Sequence, residues 1–190
     1  VSEAYTLTVN AVNDFPVMTA IADTSTAEDT PLTITVSSSD VDPIQEPSYL
    51  ASSDNENVSV SLSGVDEDGD QLTLTPVLNW NGSATIMITV VDGAGGIDSE
   101  SFELTVNPVN DAPVLAEISD QVVNENTALT IQLSATDVDG DYLSYSAESD
   151  NENVTASIFG DELTLIPSLD WNGVVNISVT VSDGDLADLE

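Results

Sequence analysis

Ser99–Pro113 reads SESFELTVNPVNDAP, and Ser2–Pro16 reads SEAYTLTVNAVNDFP, the same phrase 97 positions earlier. The echo continues along the chain in one order: Glu28 with Glu125, Asp40-Val41-Asp42 with Asp137-Val138-Asp139, and SDNENV at Ser53–Val58 with the same string at Ser149–Val154. After a difference in loop length, Asn79-Trp80-Asn81-Gly82 returns as Asp170-Trp171-Asn172-Gly173, and Asp92-Gly93 returns as Asp183-Gly184. An internal repeat of this length means successive copies of one folded unit. The copies divide the chain into 1–12, the last strand of a preceding repeat plus linker; 13–109, repeat one; and 110–190, repeat two without its last strand.

Inside each copy the apolar residues recur with period two, the spacing that puts alternate side chains on one face of a strand. Leu32, Ile34 and Val36 alternate with threonine, and the same scheme runs through Val58, Val60 and Leu62 and through Ile86, Ile88 and Val90. Repeat two copies it at Leu129, Ile131 and Leu133, at Val154, Ala156 and Ile158, and at Ile177, Val179 and Val181. Short Thr- and Val-rich strands between Asp, Asn, Gly and Pro turns predict an all-β chain. Each repeat is then an Ig-like Greek-key antiparallel sandwich of about seven strands, with no helix beyond a turn.

Charge narrows the function. The 190 residues include 35 Asp and Glu and no Lys, Arg, His or Cys, a formal charge of −35, while 41% of residues are apolar. That apolar share supports a core despite the charge. No carboxylate has a cationic side chain to pair with, so neutralisation has to come from outside. Two sources fit: divalent cations held by several oxygens, or a solvated, salt-adapted surface. Nucleic acid is excluded as a partner because the phosphate-binding Lys and Arg are missing. The segment has no apolar run that inserts into a membrane. Without His, Cys or Lys, the triad nucleophiles, Schiff bases and usual zinc sites are unavailable, and the chain is read as no enzyme. A pair of carboxylates of the glycosidase kind is the only catalytic chemistry left, and no pair stands out.

Loops of a sandwich collect at its two ends, so the acidic residues can be read by position. The linker Asn107–Pro113, stiffened by proline at 108 and 113, is expected to gather Glu28 and the Asn79 and Asn81 turn of repeat one with Asp137, Asp139 and the Asp183 turn of repeat two. Alternate Asp residues reach one ion where the loop turns sharply, which Gly140 permits. At six to eight oxygens per ion, this set suffices for about two or three Ca2+ ions.

The order Glu, Asp-x-Asp, Leu-Asn/Asp-Trp-Asn-Gly, Val-x-Asp-Gly and Asn-Asp-x-Pro resembles the bacterial cadherin-like tandem repeats of large surface and secreted, adhesin-type proteins, and more distantly animal cadherins. The resemblance implies calcium ligands at Glu28, Asn110, Asp111, Asp137, Asp139 and Asp183. A partial second set at the amino end comprises Asn13, Asp14, Asp40, Asp42 and Asp92. Glu125, Asp170 and Asn172 lack a following linker and are expected to hold no ion. Cadherins have Asp-Arg-Glu where this chain has Asn79-Trp80-Asn81, and a further Asp where it has Pro108, which implies fewer or weaker ions. The resemblance implies an extracellular or cell-surface extension or adhesion segment, with neighbouring repeats as partners; the alternative is a module that binds polysaccharide or its own kind.

Four motifs keep two readings each. Asp66-Glu67-Asp68-Gly69-Asp70 resembles a calcium loop but reads more simply as a solvated hairpin, since repeat two has only Gly160-Asp161-Glu162 there. Trp80 and Trp171 are either sugar-stacking platforms or turn anchors, the anchor being favoured by their recurrence before a strand. Asn57, Asn81, Asn153 and Asn176 sit in glycosylation sequons, used only in a host that glycosylates. Finally, Val1–Asn10 either frays or completes repeat two of an identical chain by strand exchange.

Overall fold

The computed structural model describes residues 2–42, 47–64 and 70–189. The chain divides into two compact units, Val1–Val109 and Asn110–Glu190. Among the described residues there is no helix, so none is long and apolar enough to cross a membrane. The Asp66–Gly69 part of the acidic hairpin lies outside the described residues, as do Pro43–Glu46.

Unit 1 contains β1 (Val17–Met18), β2 (Thr24–Ala27), β3 (Leu32–Val36), β4 (Ser38–Ser39), β5 (Ser48–Ser53), β6 (Val58–Ser63), β7 (Asp70–Pro76), β8 (Gly82–Val91) and β9 (Ile97–Asn107). One sheet runs β2-β9-β8-β5 and the facing sheet β3-β7-β6, with β1 paired to β4. β1 and β2 are one interrupted strand and β3 and β4 another, which restores the expected seven. All ladders are antiparallel except β2 on β9, which is parallel. That exception was not legible from alternation, because Thr24–Ala27 (TSTA) carries no apolar stripe. The inward residues of both sheets make the core: Val36, Leu72 and Leu74 on one side, and Ile86, Ile88, Phe102 and Leu104 on the other.

Unit 2 repeats the plan with β10 (Val114–Leu115), β11 (Leu129–Gln132), β12 (Ala135–Thr136), β13 (Ser144–Ser149), β14 (Val154–Phe159), β15 (Glu162–Pro167), β16 (Ile177–Ser182) and β17 (Ala187–Leu189). Its sheets are β11-β15-β14 and β13-β16-β17, with β10 on β12. Two strands differ from unit 1. Gln121–Asn124, the counterpart of β2, forms no strand, and β16 begins at Ile177, whereas β8 begins at Gly82, the counterpart of Gly173. In unit 1 both of those segments are held by the second half of β9. The last strand is nevertheless begun: Asp98 of β9 corresponds to Asp188 of β17, so Ala187–Leu189 already belong to it. Each aspartate accepts the backbone N–H of the opening strand, Met18 at 2.8 Å and Leu115 at 2.9 Å. At the other end of the chain, Ser2–Asn10 form no strand and lie exposed, although their sequence is that of β9.

The Asn/Asp-Trp-Asn-Gly turn has a steric explanation. Asn79 and Asp170 both have φ of 56°, a left-handed conformation that Asn and Asp tolerate better than other residues with a Cβ. A second left-handed residue faces each of them. Asp29 Oδ1 accepts the N–H of Asn79 at 2.7 Å, and Asn126 Oδ1 accepts that of Asp170 at 2.9 Å. A Cβ on Gly82 would sit 2.8 Å from the Trp80 ring, and one on Gly173 would sit 2.7 Å from the Trp171 ring. Each tryptophan ring therefore packs against its glycine, and Trp80 packs against the core of unit 1, which supports the anchor reading.

Candidate metal centre

At the amino-terminal end of unit 2, three loops converge on a set of side-chain oxygens. Asp137 Oδ1 accepts the backbone N–H groups of Asp139 at 2.9 Å, Gly140 at 3.0 Å and Asp141 at 3.3 Å. This wraps the loop around one carboxylate oxygen. Gly140 has φ of +78°, a conformation costly for a residue with a side chain. The other oxygen, Asp137 Oδ2, is shielded from solvent and has no hydrogen-bond partner among the described residues. One carboxylate oxygen from each of Asp137, Asp139 and Asp141 lies within 4.8 Å of the others. Like charges this close repel unless a cation lies among them, and the chain has no cationic side chain to supply.

Two further loops are tied to the same set. Asp139 Oδ2 accepts the N–H of Asp111 at 2.8 Å, and Asp183 Oδ2 accepts from Asn110 Nδ2 at 2.8 Å. Asp183 Oδ1 accepts the N–H groups of Asp185 at 2.7 Å and Leu186 at 2.6 Å. Asn110, Asp111, Asp137, Asp139 and Asp183 are thus brought together by the fold of unit 2 alone. Asp141 joins them without having been singled out from sequence. Its signal was the continuation of Asp-x-Asp to Asp-x-Asp-x-Asp.

Unit 1 builds the same lattice from its own residues. Asn13 Nδ2 donates to Asp92 Oδ2 at 2.9 Å, the N–H of Asp14 to Asp42 Oδ2 at 2.6 Å, and the N–H of Asp42 to Asp40 Oδ1 at 2.9 Å. Asp92 Oδ1 accepts from Ala94 at 2.8 Å and Gly96 at 2.7 Å. A side chain at Gly96 would collide with the Asp92 carboxylate, which accounts for glycine there.

Glu28, Asn79 and Asn81 stand at the opposite end of unit 1, where β9 finishes; ten residue steps of strand separate the two ends, about 33 Å. Glu28 is buried. Its backbone N–H donates to the Asn107 carbonyl at 2.9 Å, and its Oε1 accepts the N–H of Val109 at 2.6 Å. Asn79 and Asn81 flank the Trp80 turn beside it, and Asn79 is accounted for by its left-handed backbone. Glu125, the counterpart of Glu28, is exposed.

Hydrogen bonding perturbs two of these carboxylates. The Asn13 amide, and after it the N–H groups of Gly96, Ala94 and Gly95, hold the Asp92 carboxyl below its ordinary value. The Leu186 N–H and then the Asn110 amide do the same for Asp183. A carboxylate whose folded pKa is depressed contributes stability that is complete above its unfolded pKa of about 3.9 and is lost as pH falls through the folded value. In calcium-free buffer, wild type is therefore expected to melt above Asp183→Asn at pH 6, and the gap is expected to close below about pH 4. Comparing the two chains cancels the general relief of repulsion that acid brings to both. A gap unchanged down to pH 3 would show that Asp183 is not held in its ionised form by these bonds.

Comparison with known proteins agrees with this architecture. A 104-residue stretch, 54% of the chain, is 36% identical to part of Chitinase A of Pseudoalteromonas piscicida, of which it spans 12%. Among solved structures, PcdhgB3 EC1-4 superposes with a TM-score of 0.51 at 16% identity, over 92% of this chain and 47% of that one. Protocadherin Gamma B7 extracellular cadherin domains 1-4 gives a TM-score of 0.47 at 17% identity, over 93% of this chain and 48% of that one. At such identities the likeness concerns the fold alone. The family model described as Bacterial Ig domain matches twice, over residues 13–105 and 110–188, and the chain belongs to that family.

Proposed function

We propose that this chain is a calcium-stiffened extension or adhesion segment of a larger cell-surface or secreted repeat protein, without catalytic activity of its own. The observation that carries the calcium reading is the cluster of Asp137, Asp139 and Asp141 carboxylates, drawn within 4.8 Å in a chain with no cationic side chain. Hard oxygen donors of this kind, on a loop that already turns around one of them, suit Ca2+ better than softer metals. Asn110, Asp111 and Asp183 would complete the set in unit 2, and Asn13, Asp14, Asp40, Asp42 and Asp92 would form its equivalent in unit 1.

The stiffening is supported by where the chain passes between units. Val109 is held by Glu28 in unit 1, and Asn110, the next residue, is held by Asp183 in unit 2. Bound calcium would lock the loops that grip Asn110 and Asp111. Without it, carboxylate repulsion loosens them, and the linker acts as a hinge. The match to a small part of a much longer chitinase favours a segment of a larger protein, and the packing of Trp80 on its core gives little support to an adhesive sugar-binding face. Small-angle scattering with calcium and with chelator tests this reading. Calcium is expected to raise the maximum dimension and to narrow the distribution of conformers. Scattering curves that superpose in the two buffers would leave the carboxylates as a solvation coat.

A further inference from the structure

In the sheet β11-β15-β14 of unit 2, β14 is paired on one side, to β15, and among the described residues no strand lies on its other side. Its counterpart β6 ends the sheet of unit 1 in the same way, so the open edge belongs to the repeat itself. The N–H of Ser168 donates to the Asn153 carbonyl at 2.7 Å, which fixes the phase of the ladder. Thr155, Ser157 and Phe159 turn their backbone groups toward β15, and Ala156 and Ile158 turn theirs outward. Edge strands are ordinarily guarded by charge, proline or a bulge. β14 has none of these: its register on β15 is unbroken, and Val154–Gly160 carries no charge in a chain of formal charge −35.

The outer face of this edge differs between the repeats at two positions. Where unit 1 has Ser63 and Thr75, unit 2 has Phe159 and Ile166, which are 88% and 49% exposed. Within one chain the two are apart. Phe159 stands opposite Glu162 and Ile166 opposite Thr155, four residues of strand away, about 13 Å. We infer that β14 is a self-pairing edge whose occupant is β14 of a second copy of this chain, antiparallel about a two-fold axis at Ser157. Ala156 then exchanges backbone hydrogen bonds with the second copy's Ile158, and Ser157 faces its own equivalent. Phe159 faces the second copy's Thr155 in a close pair, beside the Ile166 next to it, so each aromatic ring reaches the apolar residue it cannot reach in its own chain. Pairing from Val154 to Gly160 sets no carboxylate against another, and Asp161 falls opposite Asn153. Repulsion is thereby confined to the ends of the ladder, where salt screens it. A contact of this length is smaller than a standard interface, so the dimer is weak. No residue of the acidic loops takes part, which separates this inference from the calcium reading.

The chain has no cysteine, so Ser157→Cys places a single thiol at the axis, where the Cα atoms of a close antiparallel pair, about 4.5 Å apart, suit a disulfide. Under mild oxidation, in chelator and with salt to screen the charge, this chain is expected to form covalent dimer roughly tenfold faster or more than Thr130→Cys, whose exposed thiol lies on β11, away from the edge. Sedimentation of wild type is expected to show association that strengthens with added salt. Phe159→Ser, which restores the residue of unit 1, is expected to weaken it on the order of tenfold or more while leaving the melt unchanged, since Phe159 is exposed in the monomer. Equal rates for the two cysteine chains, association of Phe159→Ser at wild-type strength, or a wild type that stays monomeric up to its solubility limit would each overturn the proposal. Association in chelator with no response of the scattering to calcium would sink the calcium reading and leave this one standing; a calcium response in a chain that never associates would do the reverse.

Discussion

Calcium at about a hundred times its dissociation constant is expected to raise the melting temperature of unit 2 by roughly 10–20 °C, and Asp137→Asn with Asp139→Asn is expected to abolish the rise. The size follows from linkage. One site filled to that degree in the folded chain and absent from the unfolded one contributes about 2.7 kcal/mol, and each kcal/mol moves the midpoint of a unit this small by about 4–8 °C. The double substitution is chosen because it keeps the loop. Asparagine Oδ1 can accept the same N–H groups that Asp137 Oδ1 accepts from Asp139, Gly140 and Asp141, and can replace Asp139 Oδ2 opposite the N–H of Asp111. What it removes is charge. In chelator, the variant is therefore expected to melt above wild type, because two of the clustered carboxylates no longer repel. The two curves should cross as calcium is added. A variant that melts lower in both buffers would mean that these aspartates hold the loop by hydrogen bonding alone.

Much of this arrangement was legible because the chain states it twice. The alternation at Val58, Val60 and Leu62 and at Ile86, Ile88 and Val90 falls within β6 and β8, and the copies in repeat two fall within β14 and β16. Loop residues were read from recurrence rather than periodicity, and the same Asn-to-Asp hydrogen bond appears at Asn13–Asp92 and at Asn110–Asp183. What stayed hidden was what no pattern encodes. β2 is polar and exists only because β9 passes beside it, so nothing in TSTA announces a parallel strand. The turn residues carry a double meaning for a similar reason: Asn79 reads as an oxygen donor, while its left-handed backbone is sufficient cause for asparagine. Asp98 and Asp188, which tie the opening strand to the closing one, are single residues at the start of β9 and in β17 and gave no signal apart from the fold.

Phe102→Ala and Tyr5→Ala alter the same position of the same repeated phrase, yet their expected effects differ by several kcal/mol, about 3–5 against less than about 0.5. Phe102 is buried in unit 1 against a closed core, and truncating a buried aromatic to alanine costs about 3–5 kcal/mol in lost burial and cavity. A loss of that size is a large part of the stability of a small domain, so unit 1 is expected to melt lower by at least about 12 °C. Tyr5 is exposed and belongs to no strand, so the monomer is expected to change by less than about 0.5 kcal/mol. Burial, and not the motif, decides the outcome: FELTV is core because β2 and β8 flank it, and YTLTV is surface because no described strand flanks it. Melts of both variants at low concentration, where chains are apart, separate the two cases. A substantial loss in Tyr5→Ala under those conditions would mean that Tyr5–Val9 packs within its own chain.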